Sequence, residues 1–255
     1  MKSKPYIGIT GFTTKEEINT IYNQFLNNNY SQIDSNYTIM IGIISSNNRL
    51  KKLNEGKRSP DINQLNEILK VVPKNPMPAI HYFTRNPNNL ASEIKQLYSY
   101  KEIYNNCQAL QINLAWPDPN QIRKIKEEFK DMKIILQLPH KALDDISRAT
   151  DYKNLADYCL IDPSGGLGKE ITNVNIELLN NLKQNLPNTI LGIAGGLDQY
   201  NIRDIITKSN QIYKHNFSID AEGRLRTNND KYLDYNKTNN YIKNTIEAIL
   251  NKKWH

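Results

Sequence analysis

Cysteine is almost missing from this chain of 255 residues, which has only Cys107 and Cys159. Two cysteines make no disulfide framework, and neither stands at metal-ligand spacing from a histidine, so a stapled secreted scaffold and a Cys/His metal site are excluded. No run of about eighteen apolar residues occurs, which excludes a membrane-spanning helix. The N-terminus, Met1 to Ile7, is basic but lacks a long apolar segment and a cleavage site. It reads as no signal peptide, and a reducing, cytoplasmic setting is expected. Acidic residues are the minority, 26 against 33 Lys and Arg, for a net charge of +7. The basic residues are spread rather than massed, which argues against a nucleic-acid partner. The 38% hydrophobic content suffices for one sizeable core and excludes global disorder.

What is present is alternation. Short apolar runs rich in β-branched residues recur at Tyr6 to Thr10, Thr38 to Ile44, Ala79 to Thr84, Ala109 to Asn113, Lys133 to Leu138, Tyr158 to Asp162, Ile190 to Ala194 and Phe217 to Asp220. Segments of helical spacing follow them: Lys15 to Asn27, Ile62 to Val71, Asn89 to Tyr98, Asn120 to Lys130, Ala142 to Thr150, Asn175 to Asn185, Asn201 to Ser209 and Thr238 to Asn251. Thr13-Thr14 before Glu16-Glu17 predicts a capped helix start, and Asp198 or Asn201 predicts another. Strands alternating with helices of this size pair in parallel through right-handed crossovers. Eight such units in this length predict an α/β fold, a single-domain (β/α)8 barrel of the TIM type spanning residues 1–255. An open doubly wound sheet would need a glycine-rich turn after its first strand, which Gly8 and Gly11 do not supply. One segment breaks the rhythm. Ser45 to Asp61, with Arg49, Lys51, Lys52, Lys57 and Arg58, predicts an extended basic loop after strand 2, either functional or merely solvated.

In a barrel, chemistry collects where strands end. Those positions hold Thr10-Gly11, Ser45-Ser46, Thr84-Arg85, Asn113, Pro139-His140, Asp162, Gly195-Gly196 and Asp220-Ala221-Glu222-Gly223. Glycine is sparse, at eleven residues, yet it gathers at the last three strand ends, as Gly165-Gly166-Leu167-Gly168, Gly195-Gly196 and Gly223. Without Cβ, backbone N–H groups approach an anion closely, so this clustering predicts a phosphate site and a phosphorylated small-molecule ligand. Asp162 ends the run Tyr158-Cys159-Leu160-Ile161. Its carboxyl reads either as a general acid at the strand tip or as a cap on the Gly165 turn. His140 is a possible base at the mouth or an exposed loop residue. His81, inside strand 3, reads as a core or helix-facing histidine. Trp116 reads as packing, with stacking on a planar ligand as the alternative.

These same residues carry a resemblance to the phosphoribosylanthranilate isomerase family of tryptophan biosynthesis. Leu160-Ile161-Asp162-Pro163-Ser164-Gly165-Gly166-Leu167-Gly168 is similar to the family's Leu-Asp-Ser followed by Gly-Gly-Thr-Gly. Ala194-Gly195-Gly196-Leu197 resembles its Ala-Gly-Gly-Leu, and Ser218-Ile219-Asp220-Ala221-Glu222-Gly223 stands where it has Val-Asp-Val-Ser-Ser-Gly. Leu110-Gln111-Ile112-Asn113 looks like its Val-Gln-Leu-His, and Ile9-Thr10-Gly11-Phe12-Thr13 like its Ile-Cys-Gly-Ile-Thr. The resemblance implies an intramolecular oxidoreductase of the aldose–ketose isomerase type. It would catalyse an Amadori rearrangement, with no metal and no cofactor. It makes Asp162 the acid that protonates the ring oxygen, puts the base that takes the C2′ proton at Thr10, and gives the phosphate to the three glycine loops, Glu222 included.

Three departures accompany it. Thr10 occupies the family's cysteine position, and a threonine hydroxyl is too weak an acid to serve as base unaided, with no assisting histidine nearby in sequence. Asn113 occupies the histidine position. Arg58-Ser59-Pro60 is a scrambled counterpart of the Ser-Pro-Arg linked to the anthranilate carboxylate. A divergent barrel that binds a phosphate ester with altered or lost catalysis is therefore the second expectation. A nucleic-acid or interaction module has only the +7 balance and the basic loop behind it. Oligomeric state is not legible in the sequence.

Overall fold

The computed structural model describes residues 3–26, 31, 33, 35–51, 57–73, 75–164 and 171–251. Eight strands close into one parallel barrel in sequence order, with the last paired to the first. They are β1 (Tyr6–Thr10), β2 (Thr38–Ser46), β3 (Met77–Phe83), β4 (Ala109–Ile112), β5 (Lys133–Pro139), β6 (Tyr158–Asp162), β7 (Ile190–Ala194) and β8 (Ser218–Ala221). The fold is the (β/α)8 barrel. Strands buried on both faces read as continuous apolar runs, which is why these were visible in the sequence.

Alternation along each strand divides the core in two. One set of side chains, including Ile7, Ile9, Ile41, Ile80, Leu110 and Ile161, faces outward under the helices. The other faces the barrel axis: Tyr6, Met40, Met77, Ala79, Ala109, Ile135, Tyr158, Leu160 and Ala194 form a separate apolar cluster. Tyr6 and Tyr158 meet edge to face, 5.1 Å between ring centroids, and the Tyr158 hydroxyl donates to the carbonyl of Lys4. The interior is thus apolar towards the strand N-termini.

The helices are α1 (Lys15–Glu17, continued by a wider π-helical segment, Ile18–Leu26), α2 (Asn47–Leu50), α3 (Ile62–Val71), α4 (Leu90–Leu97), α5 (Lys101–Asn106), α6 (Pro119–Glu128), α7 (His140–Leu143), α8 (Asn173–Asn185), α9 (Ile202–Ile212) and α10 (Tyr235–Leu250). Thr14 and Glu17 make the expected capping box, and Asp61–Gln64 and Thr172–Asn175 make two more. Asp198 caps the turn before α9 by accepting from the Tyr200 and Asn201 amides. No helix of the described residues is long and apolar enough to cross a membrane.

Two local expectations are corrected, and one helix was not expected. Ser45 and Ser46 belong to β2, whose pairing with β3 continues to Ser46↔Phe83, and Asn47–Leu50 is helical, so the segment between strand and α3 starts later than its composition suggests. Residues 52–56 of it lie outside the described residues. The single helix expected over Ala142 to Thr150 is instead α7 and a 3-10 segment, Ile146–Tyr152, separated where Asp145 leaves helical geometry at φ −136°, ψ 68°. α5 had no expectation attached, since its start at Tyr100 carries no side-chain cap to announce it.

Candidate functional site

Above the apolar layer, the inward positions turn polar. Thr10 continues the Tyr6 side of β1, His81 the Met77–Ala79 side of β3, Gln111 that of Ala109, Gln137 that of Ile135, and Asp162 that of Tyr158 and Leu160. With Asp220 they form a polar ring at the C-terminal end. A cavity of about 700 Å³ opens above it, lined by His81, Gln111, Asn113, Gln137, Asp162 and Asp220 below and by Gly195, Gly196, Gly223, Arg58, Glu222 and Arg224 at the mouth.

Two hydrogen-bonded groups make up the ring. Asp162 Oδ1 accepts from the Ser164 amide (3.1 Å) and hydroxyl (2.7 Å), while Oδ2 accepts from Gln137 Nε2. Gln137 Oε1 in turn accepts from Gln111 Nε2 at 2.9 Å. On the other side, Thr10 Oγ1 donates to Asp220 Oδ1 at 2.8 Å and lies 3.3 Å from His81 Nε2. Burial pushes the Asp220 carboxyl up to about 8, and the nearby charges of Glu222 and Asp162 add to this against the opposing hydrogen bonds from Thr10 and Gln111. Asp220 thus keeps its proton at neutral pH. Burial drives His81 down to about 3, so its imidazole is neutral.

The wall strands give these groups room by omitting side chains. A Cβ on Gly42 would lie 2.3 Å from Thr10 Oγ1 and 2.8 Å from His81 Nε2. Gly195 is required twice over: its φ is +91°, and a Cβ would lie 2.3 Å from Asp162 Oδ1 and 2.6 Å from Ser164 Oγ. Gly195→Ala is therefore expected to cost roughly 2–4 kcal/mol, from left-handed strain plus overpacking, and to displace the Asp162 carboxylate. Denaturant midpoints of the two proteins measure it, and an unchanged midpoint would show that the turn relaxes freely.

The predicted residues divide as follows. Asp162, Asn113, Gly195, Gly196, Glu222, Gly223 and Arg58 all line the cavity. Gly165, Gly166 and Gly168 lie outside the described residues. Thr10 is 1% exposed and sits behind Asp220 and His81 rather than on the cavity surface. His140 opens α7, is exposed, and is not among the lining residues. Trp116 is buried, with its ring 5.5 Å from that of Tyr152 and its Nε1 donating to the Ala142 carbonyl. It packs under α7 and does not face a ligand.

Of the two readings of His81, core or helix-facing, the first holds, since the residue is buried, and the second is corrected: it turns inward and lines the cavity. Its two-residue spacing from the inward Ala79 was the signal. Gln137 and Arg224 had no role assigned. Gln137 is found by the same spacing, from Ile135. Arg224 follows Glu222 by two positions and pairs with Asp198 at 3.0 Å. Among the described residues no three His, Cys, Asp or Glu side chains gather so as to hold a metal ion.

No family model matches this sequence, and no curated protein matches it. Solved structures do share the fold. TrpF from Jonesia denitrificans superposes with a TM-score of 0.65 at 12% identity, covering 97% of this chain and 100% of that one. Phosphoribosyl anthranilate isomerase from Thermotoga maritima gives 0.62 at 16% identity, covering 95% and 98%. A phosphoribosyl anthranilate isomerase in complex with reduced 1-(o-carboxyphenylamino)-1-deoxyribulose 5-phosphate gives 0.61 at 16%, again covering 95% and 98%. At these identities the likeness is one of fold.

Proposed function

We propose that the protein is a sugar-phosphate isomerase of the phosphoribosylanthranilate isomerase kind, performing an Amadori rearrangement in which one strand-borne carboxyl group gives a proton to the substrate and a second takes one from it. The observation that carries this reading is that Asp162 and Asp220 face one cavity whose mouth holds Gly195, Gly196, Gly223, Arg58 and Arg224. A phosphate ester at the glycine turns leaves the sugar over the two acids. Similarity in fold to an enzyme crystallised with a ribulose 5-phosphate derivative supports the ligand class.

The roles follow from the surroundings. Asp220 retains its proton at neutral pH and donates it to the ring oxygen as the C1′–O bond breaks, leaving an iminium at C1′. Asp162, whose oxygens already accept three hydrogen bonds as a carboxylate does, takes the C2′ proton, and the C2′–H electrons form the enol-amine. This reverses the role that the family resemblance implies for Asp162. Thr10 positions Asp220 by donating its hydroxyl hydrogen bond and transfers no proton to or from the substrate.

A direct assay tests the reading. Purified protein is expected to convert phosphoribosylanthranilate, and Asp162→Asn to lower kcat by about 10²-fold or more while phosphate binding persists. Absence of turnover in the native protein, with phosphate-ester binding retained, would replace this reading by the divergent binding barrel. That second reading is favoured by Thr10 at the family's cysteine position and by a carboxylate, Glu222, within a glycine turn.

A further inference from the structure

Both arginines at the mouth are already paired with carboxylates, but the pairs are built differently. Asp198, partner of Arg224, also accepts the Tyr200 and Asn201 amides at 2.8 and 3.1 Å, so it is fixed by the turn before α9. The Glu222 carboxylate accepts from Arg58 Nη1 at 2.9 Å and has no other hydrogen bond among the described residues. The side chains of Arg58 and Glu222 are 38% and 31% exposed, and both line the cavity.

Arg58 itself is anchored elsewhere. Its Nε is held by Asp230 at 2.8 Å, and the neighbouring Lys57 Nζ donates to the Asn229 carbonyl at 3.1 Å. The guanidinium lies over Gly223, where a Cβ would come within 3.6 Å of Nη1 and 3.8 Å of Nη2. Nη2 has no hydrogen-bond partner among the described residues. The guanidinium therefore stays in place through Nε whether or not Glu222 is bound, and presents its Nη1–Nη2 edge beside a glycine backbone. A phosphate oxygen pair matches that edge with two parallel N–H···O bonds, and a lone carboxylate oxygen engages only half of it.

We propose that Glu222 is an intramolecular competitor for Arg58, displaced when the phosphate group of a phosphate monoester binds across Arg58 and the Gly223 turn. This rests on the phosphate reading above and deepens it by naming the exchange. A carboxylate left in place would repel the arriving dianion. Held by a single contact and already part exposed, it can turn to solvent as the phosphate takes Nη1 and Nη2.

Calorimetric titration with inorganic phosphate tests the exchange. Glu222→Gln removes the competing charge and is expected to tighten phosphate binding about three- to tenfold at low salt. Arg58→Gln is expected to weaken binding about tenfold, and the double variant to lose the Glu222→Gln gain. Should a variant fail to fold, the native protein still answers: the Glu222 ¹³Cδ resonance is expected to shift on titration with inorganic phosphate. Equal affinity, or weaker binding, in Glu222→Gln would overturn the exchange while leaving the phosphate reading intact. A gain that survives in the double variant, or a Glu222 resonance that does not respond while phosphate binds, would also overturn it. No phosphate binding by any of these proteins would overturn the phosphate reading and the exchange together.

Discussion

Asp220→Asn is expected to lower kcat for phosphoribosylanthranilate by about 10²- to 10⁴-fold, with KM changed little. Asparagine keeps the size of the side chain and an oxygen for the Thr10 hydroxyl, so the ring around it has no reason to collapse. What it lacks is a proton to give. The native protein carries that proton because the carboxyl is buried and placed near two other negative groups. Native kcat is therefore expected to fall as pH rises through about 8, the point at which Asp220 ionises. A pH–rate profile of the native protein, beside the single-pH activity of the variant, measures both. Full activity in Asp220→Asn would remove this residue from the chemistry.

The same substitution is expected to make the protein more stable. In an unfolded chain an aspartate ionises near 4, whereas in the folded barrel Asp220 holds its proton up to about 8. Between those values the unfolded state has released a proton that the folded state retains. Native stability from this group therefore falls as pH rises through the window, by about 1.4 kcal/mol per unit. By pH 7 the accumulated cost is on the order of 4 kcal/mol. An asparagine side chain cannot ionise in either state and avoids it. Asp220→Asn is expected to raise Tm by roughly 5–10 °C at pH 7 and to give almost no gain at pH 4. A gain independent of pH, or none at pH 7, would show that the buried carboxyl does not carry the proton. Loss of turnover together with gain of stability is the signature of a strained functional group.

The fold was legible because its strands are buried on both faces and its connections carry recognisable caps. Tyr6–Thr10, Tyr158–Asp162 and Ile190–Ala194 occupy the residues that their composition predicts. Elements without such marks were less visible: α5 has six residues and an uncapped start, and α2 is a single turn. At the site, strand ends brought out Asp162, Asn113 and the Gly195 turn. The surroundings of Thr10 did not come out, because no local pattern contains them. Its partners His81 and Asp220 are 71 and 210 positions away along the chain, and only closure of the barrel brings them to its hydroxyl. The same is true of Arg58 and Glu222, 164 positions apart. Alternation within β3 would have turned His81 inward, had it been applied to a polar residue as it is to apolar ones.

The acids stand on strands, while Arg58, Glu222 and Arg224 come from the connecting segments at the rim. On the proposed reading, proton handling is built into the frame, and the grip on the ligand hangs from parts that tolerate insertion and exchange. A lineage can redraw the rim, Glu222 included, and keep the largest cause of the raised Asp220 pKa, its burial on β8 between β1 and β7. A transplant of rim segments from another barrel would then leave that buried carboxyl, and the proton it holds, in place.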